Sequence, residues 1–338
     1  MIYCLYNPRH KAHHPPHEVF NGDHDVAQEI PDRALNIYRA LRKEKFKMGQ
    51  DIHAVPRVLL ETIHTKEYLD FLEQTSQKLK TKEYLYPSVW SYNPAAPRIA
   101  DTSNVRSLGM YVFDTYTPLL RGTYEAAMSS ASLAYTAALL IRKNPRETYY
   151  ALCRPPGHHA ERAMAGGYCY INNAAVAAQY LSQFGKVATL DVDFHHGNGT
   201  QHIFYKRDDV LTVSIHADPA WKFPFYSGFA HEEGIGKGKG YNHNFPLQQG
   251  TDDQAYDTVL RRALSAIRKF KPKFLAVSYG ADTHISDPIG GFRLSTDYFT
   301  QMSKQIRSLD LPTVIVQEGG YNNEHLGANV TAFLKGFV

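Results

Sequence analysis

From about residue 130 onward, short apolar runs alternate with segments of helical spacing. TYYALC (148–153), KVATLDV (186–192), VLTVSIH (210–216), KFLAVSYG (273–280) and PTVIVQEGG (312–320) are apolar almost without interruption. A strand with one face in water alternates polar and apolar positions, so near-continuous runs of this length predict strands covered on both faces. Between them, NNAAVAAQYLSQF, DDQAYDTVLRRALSAIRKF and TDYFTQMSKQIRSL repeat their apolar positions every three or four residues, as one face of a helix does. Strand and helix in repeated alternation predict an α/β fold, a parallel sheet with helices on both faces. No Pro/Ser-rich linker divides this region and no internal repeat is visible, which predicts one domain over residues 1–338.

The first part of the chain is patterned differently. PDRALNIYRALRKEKF and KEYLDFLEQTSQKLK read as amphipathic helices, and a third helix begins near TYEAAMSSASLAYTAALL. Between the second and third lies a long stretch, residues 79–122, containing Pro87, Pro94, Pro97 and Pro118. A connection of that length is usually functional or disordered. Its tyrosines, Trp90 and the run MYVF favour an ordered surface that covers something or meets a partner.

Composition narrows the classes. No stretch approaches the roughly 18 consecutive apolar residues that a membrane helix needs. The N-terminal MIYCLYNPRHKAHHPP has no apolar core of signal-peptide length, so a cytoplasmic protein without membrane contact is expected. The three cysteines, Cys4, Cys153 and Cys169, are odd in number and form no CxxC pair. That argues against a disulfide framework and against a cysteine zinc site. The net charge of +4 is small and the basic residues are scattered, so nucleic acid is not an expected partner. The 17 histidines are the informative excess, because imidazole both ligates metals and titrates near neutrality.

Parallel sheets of this kind bind ligands beyond the carboxyl ends of their strands. TYYALC is followed by RPPGHHA, which delivers His158 and His159; KVATLDV is followed by Asp193, His195 and His196; KFLAVSYG leads to Asp282, and PTVIVQ to EGGY and Tyr321. Each motif alone has an ordinary explanation. A lone Asp after a strand is commonly a helix N-cap, a His pair is commonly surface polarity, and EGGY is commonly a turn. Four strands ending on one side of a sheet in one complementary set of residues is not explained that way. Within DVDFHHGNG, alternation sends Asp191, Asp193 and His195 to one side and Val192, Phe194 and His196 to the other. Asp193 and His195, with Asp282 from a neighbouring strand, form a three-ligand set. Three protein ligands with a position left for water describe a catalytic zinc site, and two carboxylates with one imidazole would also accept Fe2+ or Co2+. Asp191 lies one step deeper, placed to orient a histidine or hold a second ion.

RPPGHHA, GGYCYINNAAVAA, LDVDFHHGNGTQ, VSYGADT and EGGY occur in the order and with roughly the spacing of the histone-deacetylase superfamily, which this chain resembles over nearly its whole length. The HHGNGTQ form, the short chain and the 79–122 insertion look most like the bacterial acetylpolyamine amidohydrolase branch. The resemblance implies the arginase–deacetylase fold, a single domain with a mostly parallel eight-stranded sheet. It implies metal ligands Asp193, His195 and Asp282, and tandem catalytic histidines His158 and His159, partnered by Asp191 and Asn198. In other branches the second partner is Asp, so Asn198 is a departure; a neutral amide stabilises imidazolium less than a carboxylate. Tyr321 matches the tyrosine that binds the substrate carbonyl. Two structural potassium sites are implied, one from Asp191, Asp193, His195, Ser214 and Ile215, the other from Phe204, Arg207, Val210 and Tyr241.

The implied activity is metal-dependent removal of acetyl groups from N-acetylated polyamines or short diamines, with protein or peptide acetyl-lysine as the alternative substrate. Gly167, Tyr168 and Tyr226 match the walls of a narrow tunnel, and Glu18 and Phe20 match an acidic and an aromatic contact at its mouth. The insertion positions where further acids are expected hold Val105 and Tyr116, with Asp101 and Asp114 close by. The insertion also implies a homodimer that narrows access to the site. Two rivals remain on the sequence: a two-metal ureohydrolase, whose second ligand set is absent after His195, and a non-catalytic acyl-amine binder, which would have no need of His159 and Tyr321.

Overall fold

The computed structural model describes residues 1–49, 51–90 and 105–338. In chain order the strands are β1 (Ile2–Leu5), β2 (His17–Phe20), β3 (Asp23–Val26), β4 (Lys47–Gly49), β5 (Tyr84–Leu85), β6 (Leu119–Leu120), β7 (Thr148–Ala151), β8 (Val187–Asp191), β9 (Val210–Ala217), β10 (Asn242–Leu247), β11 (Phe274–Tyr279) and β12 (Thr313–Gln317). Eight of them form one sheet in the order β10-β9-β8-β11-β12-β7-β1-β4. Every pairing in it is parallel, where a mostly parallel sheet was expected. The antiparallel pairs stand apart from it, β2 with β3 as a small hairpin and β5 with β6 as a two-residue pairing across the long inserted segment. Among the described residues no helix is long and apolar enough to cross a membrane.

The unbroken apolar runs follow from burial on both faces. Along β8, Val187 packs into one core and Ala188 and Leu190 into the other; along β12, Val314 and Val316 face the first core and Ile315 the second. Helices Arg57–Ile63, Lys66–Lys78, Thr123–Lys143 and Asn173–Ser182 cover the first face. Helices Pro31–Lys43, Asp253–Phe270, Thr296–Arg307 and Leu326–Lys335 cover the second. After β8 the chain moves outward to β9 and β10, and it then returns to lay β11 and β12 on the other side of β8. The β8/β11 boundary is therefore a topological switch point, where parallel sheets open a crevice for ligands.

Candidate active site

The loops that follow β7, β8, β11 and β12 leave four adjacent strands at the middle of the sheet. Asp191 ends β8, in register with Ser214 on β9 and Ser278 on β11. Just beyond it, ligand atoms of Asp193, His195 and Asp282 all lie within 4.8 Å of one another, and all three residues are buried. Main-chain N–H groups hold the carboxylates: His195 donates to Asp193 Oδ1 (2.8 Å), Gly319 to Asp193 Oδ2 (2.8 Å) and Phe194 to Asp282 Oδ1 (3.1 Å). His195 turns its Nδ1 toward both, 3.1 Å from Asp282 Oδ2 and 3.5 Å from Asp193 Oδ1. Burial, and then the charge of Asp193, push the Asp282 carboxyl up to about 7.

Two glycines keep this cradle open. A Cβ on Gly280 would stand 2.0 Å from Asp193 Oδ2 and 2.5 Å from Asp282 Oδ1; one on Gly319 would stand 2.4 Å from Asp282 Oδ2. Two convergent buried carboxylates, one imidazole nitrogen and a space that a methyl would close fit a divalent cation with an open coordination position.

Next to the cradle the two histidine rings lie 4.0 Å apart in contrasting surroundings. His158 Nδ1 is 3.0 Å from Asp191 Oδ2. Burial works against charge on His158, but Asp193 and Asp191 outweigh it and carry the ring up to about 10. His159 Nδ1 meets the amide oxygen of Asn198 at 2.7 Å. Burial first, then repulsion from His158 and His195, holds His159 well below the ordinary imidazole range. A neutral His159 keeps a lone pair on Nε2 and can accept a proton; a cationic His158 cannot accept one and is left to orient, stabilise or donate.

Tyr321, 7% exposed, is clamped from two sides. Asp287 Oδ2 accepts from the N–H of Tyr321 (2.7 Å) and of Asn322 (3.2 Å). Arg33 donates to the carbonyls of Gly320 (2.6 Å) and Glu318 (2.7 Å), and its guanidinium lies 4.4 Å from the Tyr321 ring centre. Glu29 pairs with Arg33 (2.7 Å) and with Arg154 (2.9 Å), and Glu318 accepts the N–H of Gly157 (2.6 Å) and of His158 (3.1 Å). Sequence reasoning missed Arg33, Glu29, Asp287 and the part played by Glu318. One signal was available: Arg33 shares the buried face of its helix with Ala34, Ile37 and Leu41, a place where an arginine must have partners.

Of the residues expected to line the tunnel and its mouth, Gly167 and Tyr168 both take positive φ, +54° and +66°. A Cβ on Gly167 would come 2.2 Å from His159 Cδ2, so only glycine leaves room for that ring. The Tyr168 hydroxyl donates to Glu18 Oε2 (2.9 Å), and the Tyr168 ring stands 5.7 Å from that of Tyr321. Phe20 stacks on Tyr116 at 5.8 Å. Tyr226, expected in the tunnel wall, is 93% exposed. The aromatic ring beside His159 is instead Phe223, three positions earlier, at 4.9 Å, and it stacks on Phe113 at 6.1 Å. Strand periodicity does not reach this irregular segment, so nothing in the spacing separates Phe223 from Tyr226. Asp114 does not reach the mouth as a free carboxylate: it is buried and accepts the N–H of Gly167 (2.5 Å) and of Tyr116 (3.0 Å). Asp101 lies outside the described residues, as does part of the 79–122 insertion.

The remaining candidates fall into two neighbourhoods. Ser214 faces Asp191 across the β8/β9 register, with Ile215 next to it. Phe204 and Arg207 sit where the Asn198–Phe204 helix ends, Val210 opens β9, and the Tyr241 carbonyl accepts from Thr212 N–H at 3.0 Å. His196 points away from the cradle and packs 4.4 Å from His216. His158, Cys169 and Glu318 form a second close group, but each is otherwise engaged: His158 with Asp191, Glu318 with two N–H groups, and the Cys169 thiol with the Gly167 carbonyl. In the histidine-rich N-terminal segment, the carbonyls of His10 and His13 both accept from Arg154.

Comparison with known proteins gives a consistent family. The histone deacetylase domain matches residues 27–337. The chain is 39% identical to acetylpolyamine amidohydrolase 1 of Pseudomonas aeruginosa over 98% of both sequences, and 40% identical to the acetylpolyamine amidohydrolase of Mycoplana ramosa, again over 98% of both. Its structure superposes on that of an acetylpolyamine aminohydrolase from Burkholderia pseudomallei with a TM-score of 0.93, at 38% identity, covering 100% of this chain and 98% of the other.

Proposed function

The chain belongs to the histone deacetylase family and has its arginase–deacetylase fold; from that premise we propose that it is a zinc-dependent amidohydrolase that removes acetyl groups from N-acetylated short diamines or polyamines. The observation that carries this reading is the juxtaposition of the Asp193, His195 and Asp282 cradle with the His158–His159 pair and a clamped Tyr321. Full-length relatives named for acetylpolyamine hydrolysis support the substrate class.

Asp193, His195 and Asp282 would hold the divalent ion, which when bound acidifies water and polarises an amide carbonyl. His159 Nε2 removes the proton from water as it attacks the acetyl carbon, and the same proton is then delivered to the departing amine. His158, kept cationic and oriented by Asp191, stabilises the negative charge that develops beside it. The Tyr321 hydroxyl donates to the developing oxyanion; burial keeps this phenol well above its ordinary range, so it remains protonated. Phe223 and Tyr168 flank the approach and favour a thin alkyl chain. Glu18 accepts from Tyr168 and offers a carboxylate to the distal ammonium of the substrate.

The same reading extends to structural potassium at Asp191, Asp193, His195, Ser214 and Ile215 and at Phe204, Arg207, Val210 and Tyr241, and to a homodimer through the 79–122 insertion. The test is turnover of acetylputrescine, acetylcadaverine, acetylspermidine and an acetyl-lysine peptide by protein of measured metal content. The expected result is one zinc per chain and a clear preference for the small amines. Preference for the peptide overturns the substrate class, and metal-loaded protein inert toward all four overturns the activity.

A further inference from the structure

Asn198 creates a problem that an aspartate in its place would not have. An aspartate accepts a proton through either oxygen, so the neighbouring imidazole has to present an N–H. An amide has one accepting end and one donating end. If the NH2 end faced His159, Nδ1 would have to be the acceptor and the ring proton would sit on Nε2. His159 would then have no lone pair where the attacking water must be deprotonated.

The structure resolves this through Glu161. The Asn198 amide nitrogen donates to Glu161 Oε1 at 2.8 Å, while its oxygen faces His159 Nδ1 at 2.7 Å. An ionised carboxylate can only accept, so the amide end that meets Glu161 has to be NH2. That leaves the carbonyl for His159, obliges Nδ1 to carry the proton and frees Nε2. The other partner in reach of the NH2 group is the main-chain carbonyl of His159 at 3.4 Å, long for such a bond. Glu161 is itself held: His202 donates from Nδ1 to the same Oε1 at 2.8 Å, and the Glu161 carbonyl meets His64 Nδ1 at 2.8 Å. The chain of contacts runs from the buried His159 through Asn198 and Glu161 to His202, whose side chain is 43% exposed.

We propose that Glu161 is a positioning residue for the acetyl-transfer-to-water reaction: by fixing the direction of the Asn198 amide, it sets which nitrogen of His159 is the base. The inference rests on the reading of His159 as that base only for its kinetic consequence; the tautomer itself can be observed without turnover. Removing Glu161 lets the amide turn, whereas Asn198→Asp removes the ambiguity and with it the need for Glu161. The dependence on Glu161 is therefore expected to vanish in the Asn198→Asp background, a coupling that a merely structural role would not produce.

The experiment compares wild type, Glu161→Ala, the isosteric Glu161→Gln, Asn198→Asp and Glu161→Ala/Asn198→Asp by 15N chemical shifts of the His159 ring and by steady-state kinetics on acetylputrescine. Wild type is expected to show a single tautomer with the proton on Nδ1. Glu161→Ala should show both tautomers and lose about tenfold to a hundredfold in kcat, comparable to the loss when the hydrogen-bond partner of a metal-bound histidine is removed, with KM little changed. Glu161→Gln, whose own amide can turn, should fall between. In the Asn198→Asp background, Glu161→Ala should leave a single tautomer and a kcat no lower than that of the Asn198→Asp parent, in which two carboxylates face each other where the amide now meets Glu161 at 2.8 Å. A single unchanged tautomer in Glu161→Ala, or an equal kcat loss in both backgrounds, overturns the inference. Mixed tautomers with unchanged kcat uphold it and overturn instead the assignment of His159 as the base.

Discussion

At the floor of the pocket Asp193, His195, Asp282, His158, His159 and Tyr321 all follow strands of the central sheet; at the mouth, Glu18 and Phe20 hang from the β2–β3 hairpin and Tyr116 from the inserted segment, all outside that sheet. Glycines measure the difference. A Cβ at Gly280, on the floor, would stand 2.0 Å from Asp193 Oδ2, while one at Gly22, in the turn of the mouth hairpin, would have nothing within 4 Å. The floor is over-determined, with both carboxylates fixed by main-chain N–H groups; at the mouth the hairpin turn has slack, whereas Gly167, packed against His159, has none. Chemistry needs the first, and selection among substrates can vary through the second. The largest expected effect is therefore at Gly280. Gly280→Ala should lower metal affinity and activity by more than about a hundredfold, at or beyond the upper end for disturbed ligand supports. Gly22→Ala, at φ +92°, should cost only about 1–2 kcal/mol of backbone strain and leave kcat unchanged. Metal content after dialysis, thermal unfolding and turnover check both; comparable activity losses at the two positions would erase the contrast.

The next effect tests one donor on the floor. Tyr321→Phe removes a hydroxyl while the Arg33 and Asp287 clamps, which act on the main chain and the ring face, stay in place. kcat should fall by an amount equivalent to about 2.7–4 kcal/mol of transition-state stabilisation, with metal content unchanged. Near-wild-type turnover would remove Tyr321 from the proposed oxyanion site.

The floor was also the legible part of the sequence. Buried parallel strands announce themselves as apolar runs, and their polar ends collect His158, His159, Asp193, His195, Asp282 and Tyr321 at one place by geometry alone. What escaped was whatever depends on packing between distant segments. The three-residue strand β4 carries too few residues for a periodic signal, and β1, no shorter than β7, was passed over. β10 is polar because Asn242 and Asn244 turn inward to share the Gln201 side chain at 2.9 and 2.8 Å, so its composition hides a sheet edge. The helix Leu326–Lys335 was likewise passed over, and it forms part of the second core. Arg33 reaches the Tyr321 loop across nearly the whole chain, a contact that no local pattern encodes. Phe223 and Tyr226 differ only in how an irregular loop turns, and the loop exposes the tyrosine.

The smallest effect belongs to the mouth and has a definite sign with pH. Burial raises the Glu18 carboxyl above its ordinary range; the hydrogen bonds from Tyr168 and Gln28 oppose the shift, and the charges of Asp25 and Asp114 add to it. A cationic substrate needs the ionised form, which is fully present above the raised pKa and is lost as pH falls through it. Because the pKa is raised, that loss begins at a higher pH than for an ordinary carboxylate. For acetylputrescine, kcat/KM should therefore decline on mild acidification relative to the neutral analogue N-butylacetamide, whose pH profile reports the floor alone. Glu18→Gln should raise KM for acetylputrescine about tenfold, equivalent to about 1.4 kcal/mol, leave N-butylacetamide unaffected and make the two acid limbs coincide. If N-butylacetamide suffers equally, Glu18 acts by holding the Tyr168 ring against Tyr321, and the mouth is then bound to the geometry of the chemistry no less tightly than the floor.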